Sequence, residues 1–291
     1  MNLIAQGLIY LLYALQILIF AHIILSWLPM FGIYIPHYHP LVQFIYRVTK
    51  PILSPLRRYG QVGMVDLSPI IAFFMISLLI NILRGQSISQ TIALAITLVI
   101  AFTIHEFMHA FVAYRLGDST AKNQGRLTLD PRRHLDVLGS LMVLAFGFGW
   151  ARPVPVSPNY LRYGPKTGMA IVAAAGPLSN LLLAVVVGLL INVSGIEFSS
   201  FMASRFLPSP GELLFTFIWL NVVLFFFNLI PIAPLDGFRV LLGFLPHQTA
   251  ASFRKLEPVG PLILLLVFLF AGRILSSLII TPTRYVVSLL I

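Results

Sequence analysis

The sequence predicts an all-α polytopic membrane protein with about six transmembrane helices and a short re-entrant or β-hairpin element on its cytosolic side. Three observations carry that expectation. Hydrophobic residues make up 58% of the 291 positions and charged residues only 10%, whereas a globular chain carries roughly 25% charged residues. The apolar residues gather in runs long enough to cross ~30 Å of hydrocarbon, which takes about 20 helical residues. The basic residues, source of a formal net charge of +10, crowd into alternate loops between those runs. Such alternation is an imprint of topology and calls for no nucleic-acid partner. Cysteine is absent, which excludes disulfides and thiolate chemistry.

The first run, residues 3–28, lacks a basic amino-terminal region and is too long for a cleavable signal peptide. His22, mid-run among bulky apolar neighbours, reads as a hydrogen-bonded helix contact, and His37 and His39 fall in an aromatic and proline-rich interfacial loop. A loop with Arg47, Lys50, Arg57 and Arg58 leads to the second run, 65–83, and then to the third, 89–114. The longest loop follows, with Arg115, Lys122, Arg126, Arg132, Arg133, Arg152, Arg162 and Lys166. Within it, residues 137–150 are apolar but too few for an ordinary span, so they are expected to re-enter from the side they left. Residues 150–156 read as extended chain. There Pro153 and Pro155 turn their missing donors to one edge, while Val154 and Val156 keep N–H groups on the other. That edge suits either addition of an unwound peptide or a packing hairpin.

The fourth and fifth runs, 168–193 and 213–232, precede a loop with Arg239, Arg254 and Lys255. A sixth, 259–280, is interrupted by Arg273 and followed by an apolar tail over 276–291. Only Arg84, Arg205, Arg273 and Arg284 lie in the other loops, so the amino terminus is expected outside and the basic loops in the cytosol.

The third run contains His105-Glu106-Phe107-Met108-His109. Residues four apart on a helix share a face, so the two imidazoles can meet one metal ion, with the Glu106 carboxylate beside its open position. Zinc would bring a bound water to a pKa of about 7, and Glu106 could take its proton. The same three residues could instead form a polar cluster in a transporter bundle. The expected topology puts His105 nine residues, roughly 14 Å, from the cytosolic end of its helix.

A tetrahedral site needs a third protein ligand. Asp236 is the candidate, because Pro231 and Pro234 break the fifth run just before it, and irregular backbone at membrane depth lines a functional interior. A solvated helix end is the alternative. In the fourth run, Gly176-Pro177-Leu178-Ser179-Asn180 places an amide where lipid makes it costly without a partner. Asn180 there either stabilises a developing oxyanion or makes an interhelical hydrogen bond.

The H-E-x-x-H of residues 105–109, the G-P-x-S-N of 176–180 and the N-x-x-P-x-x-P-x-D-G of 228–237, in that order, resemble the site-2 protease family of intramembrane zinc metallopeptidases. The resemblance covers about residues 89–258 and extends to the compact bacterial branch through 114–118, 125–131, 134–136 and 150–156. It implies one Zn2+ per chain held by His105, His109 and Asp236, Glu106 as base and acid, and Asn180 at the substrate carbonyl. Val154 and Asn228 become candidate substrate contacts. It further implies a bacterial inner-membrane protein, and the expected topology turns the active site toward the cytosolic leaflet. The substrate would be a transmembrane protein or a signal-peptide remnant. Oligomeric state is not implied. Residues 1–87 resemble instead a YggT-type two-span membrane domain, either a docking element or a scaffold. The expected domains are thus 1–87, the protease core 88–275 and the tail 276–291.

Overall fold

Long apolar runs without breakers satisfy their backbone only as helices, and helices dominate the computed structural model. It describes residues 3–28, 34–36, 38–62, 65–66, 68–85, 87–136, 139–140, 150–194 and 207–291. Two compact units emerge, one built mainly from the first 91 residues and the other from most of the remainder.

In the first unit, α1 (Leu3–Trp27) and α3 (Ser68–Leu83) are predominantly apolar, while α2 (Pro40–Gly60) is amphipathic. In sequence this stretch reads as a loop because its cations mask the periodicity. Val42, Ile45 and Leu53 fall on one helical face and are buried, while Arg47 and Lys50 face outward. Ile19, Ile23, Leu53, Phe73 and Ile80 form the shared core. Two polar side chains inside it are paired: Gln16 Nε2 donates to Ser77 Oγ at 2.9 Å, and Thr49 Oγ1 donates to Ile45 O at 2.8 Å. With that hydroxyl hydrogen committed, His22 Nδ1 donates to Thr49 Oγ1 at 2.6 Å, the helix contact its position suggested. A two-residue antiparallel pair, β1 (Gln61–Val62) with β2 (Val65–Asp66), turns the chain into α3. Asp66 accepts from the Ser68 N–H at 2.9 Å and from Arg57 Nε at 2.8 Å, which fixes that helix start.

The second unit takes most of α4 (Ser89–Arg115), the short α5 (Thr120–Asn123), α6 (Gly164–Ser194) and α7 (Pro210–Asn228), then α8 (Asp236–Phe244), α9 (His247–Arg254), α10 (Gly260–Phe270) and α11 (Gly272–Leu290). Helix α7 begins earlier than the apolar run because Ser209 accepts from the Glu212 N–H at 3.1 Å and Pro210 opens the first turn. Ala184, Ile191, Ile218, Val222 and Val287 join α6, α7 and α11 in one core. Outward, Leu182, Leu189, Leu190 and Val193 of α6 stay exposed, as a lipid-facing surface requires.

Among the described residues, four helices are long and apolar enough to cross a membrane: α1, α4, α6 and α7. The expected count of six is therefore not reproduced. The second expected span yields only the shorter apolar helix of residues 71–83 within α3. The sixth is broken at Ala271, where the backbone leaves helical geometry between α10 and α11. Helix α11 then runs through the expected boundary at 275/276 and packs Leu275, Ile279 and Val287 inward. The re-entrant segment falls mostly on residues 137–138 and 141–149, outside the described residues, as does His37.

Residues 150–157 form no strand; from Pro153 to Ser157 the chain is irregular and held at both ends. Asp118, fully buried, accepts from the Thr120 N–H at 2.9 Å and, through its other oxygen, from the Ser157 N–H at 2.7 Å. Arg126 Nη1 donates to Pro153 O at 3.1 Å, and the Arg162 N–H to Leu116 O at 2.8 Å. Gly117, at φ +107°, makes the turn out of α4 in a conformation that other residues resist. His134 is buried and donates Nε2–H to Thr128 O at 2.7 Å; burial holds its pKa below the ordinary 6.5, so the ring stays neutral. Asp118→Ala is expected to strand two backbone donors and lower stability by about 2 kcal/mol. A thermal unfolding midpoint equal to that of the native protein would contradict this.

Candidate metal and active site

Four helices bring the site together. His105, Glu106 and His109 lie on α4; α6 contributes Val172, Gly176 and Asn180, α7 contributes Asn221, and α8 begins with Asp236. The backbone doubles back after α7 through 229–235, where the Leu235 N–H donates to Ile232 O at 2.9 Å, and the Ala233–Pro234 peptide is cis. A Cβ on Gly237 would sit 2.6 Å from Ile230 O and closer still to Leu229, so only glycine lets α8 start tight against the end of α7. This puts Asp236 in the first turn of α8, where unpaired backbone N–H groups favour a carboxylate.

Asp236 Oδ2 lies 3.0 Å from His105 Nε2 and 3.2 Å from His109 Nε2, and the two imidazole nitrogens are 3.1 Å apart. The protonation of the rings follows from their far sides. His109 Nδ1 lies 2.8 Å from the backbone carbonyl of Val172, which can only accept, so Nδ1 carries the hydrogen. His105 Nδ1 donates to Asn180 Oδ1 at 2.6 Å. In neutral rings both Nε2 atoms then carry lone pairs, and with the Asp236 carboxylate they make three electron-pair donors about 3 Å apart. These donors repel one another unless a cation sits between them. Two ligands ~2.0–2.1 Å from one zinc ion at the tetrahedral angle lie ~3.3 Å apart, which fits the spacing found. The group could hold a metal ion.

Asn180 is fully buried and committed. Its Nδ2 donates to Asn221 Oδ1 at 2.8 Å and toward Ala101 O at 3.4 Å. Asn221, also fully buried, donates in turn to Phe217 O at 2.8 Å within its own helix. An amide relay thus runs from α7 through α6 to His105. Asn221 carries no motif, but one amide in an apolar span signals a partner. Glu106 is 7% exposed and makes no hydrogen bond among the described residues, so its carboxylate is free to act. Gly176 leaves room in front of both rings, since a Cβ there would fall 2.6 Å from His105 Nε2.

The other two sequence candidates lie apart from the cluster's hydrogen bonds. Asn228 donates to Leu224 O at 3.0 Å at the end of α7. Val154 lines a cavity of about 500 Å³.

Comparison with known proteins agrees with this chemistry. A model of Peptidase family M50 matches residues 93–270, spanning all three motifs. The chain belongs to that family. It is a zinc metalloprotease of the site-2 protease kind, and a model of the CCB3/YggT family matches residues 1–87. YwhC of Bacillus subtilis (strain 168), whose name calls it a zinc metalloprotease, is 42% identical over 60% of this chain and 79% of its own length. Rip2 of Mycobacterium tuberculosis (strain ATCC 25618 / H37Rv), named in the same way, is 30% identical over 58% of this chain and 64% of its own. Rip2 of Mycolicibacterium smegmatis (strain ATCC 700084 / mc(2)155) is 33% identical over 53% of this chain and 57% of its own. No solved structure matches the chain.

Proposed function

We propose that this metalloprotease hydrolyses peptide bonds in or near transmembrane segments of other membrane proteins, using His105, His109 and Asp236 to hold one zinc ion and Glu106 to move protons. The observation that carries this reading is the convergence of three electron-pair donors at 3.0–3.2 Å beside an uncommitted carboxylate on a membrane-spanning helix. When bound, zinc supplies the Lewis acidity that polarises the scissile carbonyl and makes water a nucleophile near neutral pH. Glu106 accepts the proton from the attacking water and passes it to the departing amine. Asn180 acts from behind, holding His105 in the tautomer that frees Nε2. A substrate helix hides its carbonyls in its own hydrogen bonds and must unwind before attack. The N–H edge at Val154 is the element suited to hold the unwound stretch, and Asn228, at the same chain break as Asp236, is suited to a substrate contact.

The wider setting belongs to the same proposal. Residues 1–87 form a YggT domain that docks substrate or partner helices, 88–275 the protease core and 276–291 its tail. The amino terminus lies outside a bacterial plasma membrane, and water reaches the site from the cytosol. Elemental analysis of the purified protein should return one zinc per chain, and Asp236→Ala should lose it. Retention of full zinc by that variant would overturn the ligand set.

The amide relay makes a second, subtler prediction. Asn221→Leu removes the acceptor that orients Asn180, and zinc affinity, measured by competition with a chelator, is expected to fall about 10- to 100-fold. Asn221→Gln keeps an amide, with both an acceptor for Asn180 and a donor for Phe217 O, and should restore part of it. Equal affinity in all three proteins would dismiss the relay.

A further inference from the structure

We propose that the cavity beside α8 receives an acidic stretch of substrate polypeptide flanking the cleaved segment, so that charge next to the membrane selects what is cut. The inference rests on the proteolytic reading above and deepens it. The cavity, of about 500 Å³, is lined by Lys166, Arg239 and Arg254 against the single carboxylate of Glu257, with Val154 and Val156 in its wall. Lys166 is held in place by donating to the backbone oxygen of Leu245. Neither Arg239 nor Arg254 has a side-chain hydrogen bond or ion pair among the described residues, so two guanidinium groups remain available to an incoming anion.

Two elements tie this cavity to the metal cluster. Arg239 lies three residues from Asp236 on α8, about one helical turn or ~4.5 Å along the axis. Lys166 lies on α6, the helix that also carries Gly176 and Asn180. Substrate chain leaving the cluster in this direction would enter the cavity within a few residues of the scissile bond.

The wall decides between a polypeptide and a smaller anion. The backbone N–H groups of Val154 and Val156 have no partner among the described residues, because the anchors of their segment engage Pro153 O and the Ser157 N–H instead. A phosphate or lipid headgroup would use only the cations. An extended peptide uses both, its carbonyls on the valine edge and its carboxylates on the arginines.

The selective consequence follows from membrane topology. Cytosolic flanks of membrane proteins are enriched in Lys and Arg, and a cavity with three cations to one anion repels them. Ordinary membrane proteins would be spared by their own topogenic charges, and chains with an acidic juxtamembrane stretch would be admitted.

The test uses the full-length, zinc-loaded enzyme in neutral-lipid proteoliposomes with three substrates of identical transmembrane segment, flanked by four Asp, four Ser or four Lys residues. Binding of the corresponding labelled flank peptides is measured in parallel by fluorescence anisotropy. The acidic flank should lower KM about tenfold relative to the basic one and bind correspondingly tighter, with both preferences weakening as salt rises. The double charge reversal Arg239→Glu, Arg254→Glu, verified to retain one zinc per chain, should invert the order of the acidic and basic substrates. An unaltered order in that variant, or no preference in the native enzyme, overturns the inference and leaves the proteolytic reading intact. Absence of cleavage of all three substrates, with the binding preference present, counts against that reading and for the cavity. Displacement of the acidic peptide by anionic phospholipid vesicles at equal charge concentration, with no effect of peptide sequence, would make this a headgroup site and also overturn the inference.

Discussion

Glu106→Gln is expected to retain one zinc per chain and to lose peptidase activity by a factor of at least about 10³. The exchange preserves size and shape, so α4 and its two histidines keep their packing, and the amide side chain still fits where Glu106 is 7% exposed. What disappears is the ability to accept a proton. Nothing else in the immediate cluster can substitute: both imidazoles spend their Nδ1 hydrogens on Asn180 and Val172, and Asp236 turns an oxygen toward both Nε2 atoms. Elemental analysis and a fragment assay on the same preparation check both halves of the expectation. Loss of zinc together with activity would make Glu106 a structural member of the cluster rather than its base, and undiminished activity would remove it from the mechanism.

Gly176→Ala is expected to abolish zinc binding without touching a ligand. The added methyl carbon would lie 2.6 Å from His105 Nε2 and nearer still to His109 Nε2, on the side where a metal ion must sit. The rings cannot swing away cheaply. His105 is tied through Asn180 to Asn221, and His109 is tied to Val172 O, which lies one turn before Gly176 on the same helix. Zinc content is expected below about a tenth of an ion per chain, with affinity reduced at least about 100-fold, the upper end of what displaced supporting contacts cost. The helical fold should persist, since α6 already tolerates alanines at 173–175. Normal zinc content in Gly176→Ala would mean that the rings relax in a way their hydrogen bonds oppose.

Much of this site is legible without coordinates. His105, Glu106 and His109 announce themselves because helical spacing alone puts two imidazoles on one face, and Asp236 follows from prolines that end a span where a carboxylate appears. What escapes is anything that depends on the neighbour across a helix contact. Asn221 has no motif around it, and its meaning comes only from Asn180 on α6 facing it. Asn180 itself stands out as a costly amide, but its direction, toward His105 and away from open space, is a property of packing. The cavity joins residues from 154 to 257 and has no local signature. In the fold, α4, α6 and α7 follow from run length, whereas α2 is hidden because its apolar face is interleaved with arginines and lysines. The break at Ala271 is hidden for a different reason, since an apolar stretch reads the same whether or not its helix is continuous.

The central claim, hydrolysis at membrane depth, is tested most directly by mapping where the enzyme cuts. Full-length protein and its Glu106→Gln variant are reconstituted separately with a single-span membrane protein, and the fragments are identified by mass spectrometry. Native enzyme should produce new termini inside or within a few residues of the transmembrane segment, and the variant none. Cuts confined to soluble loops, or identical fragments from both proteins, would contradict intramembrane proteolysis by this site.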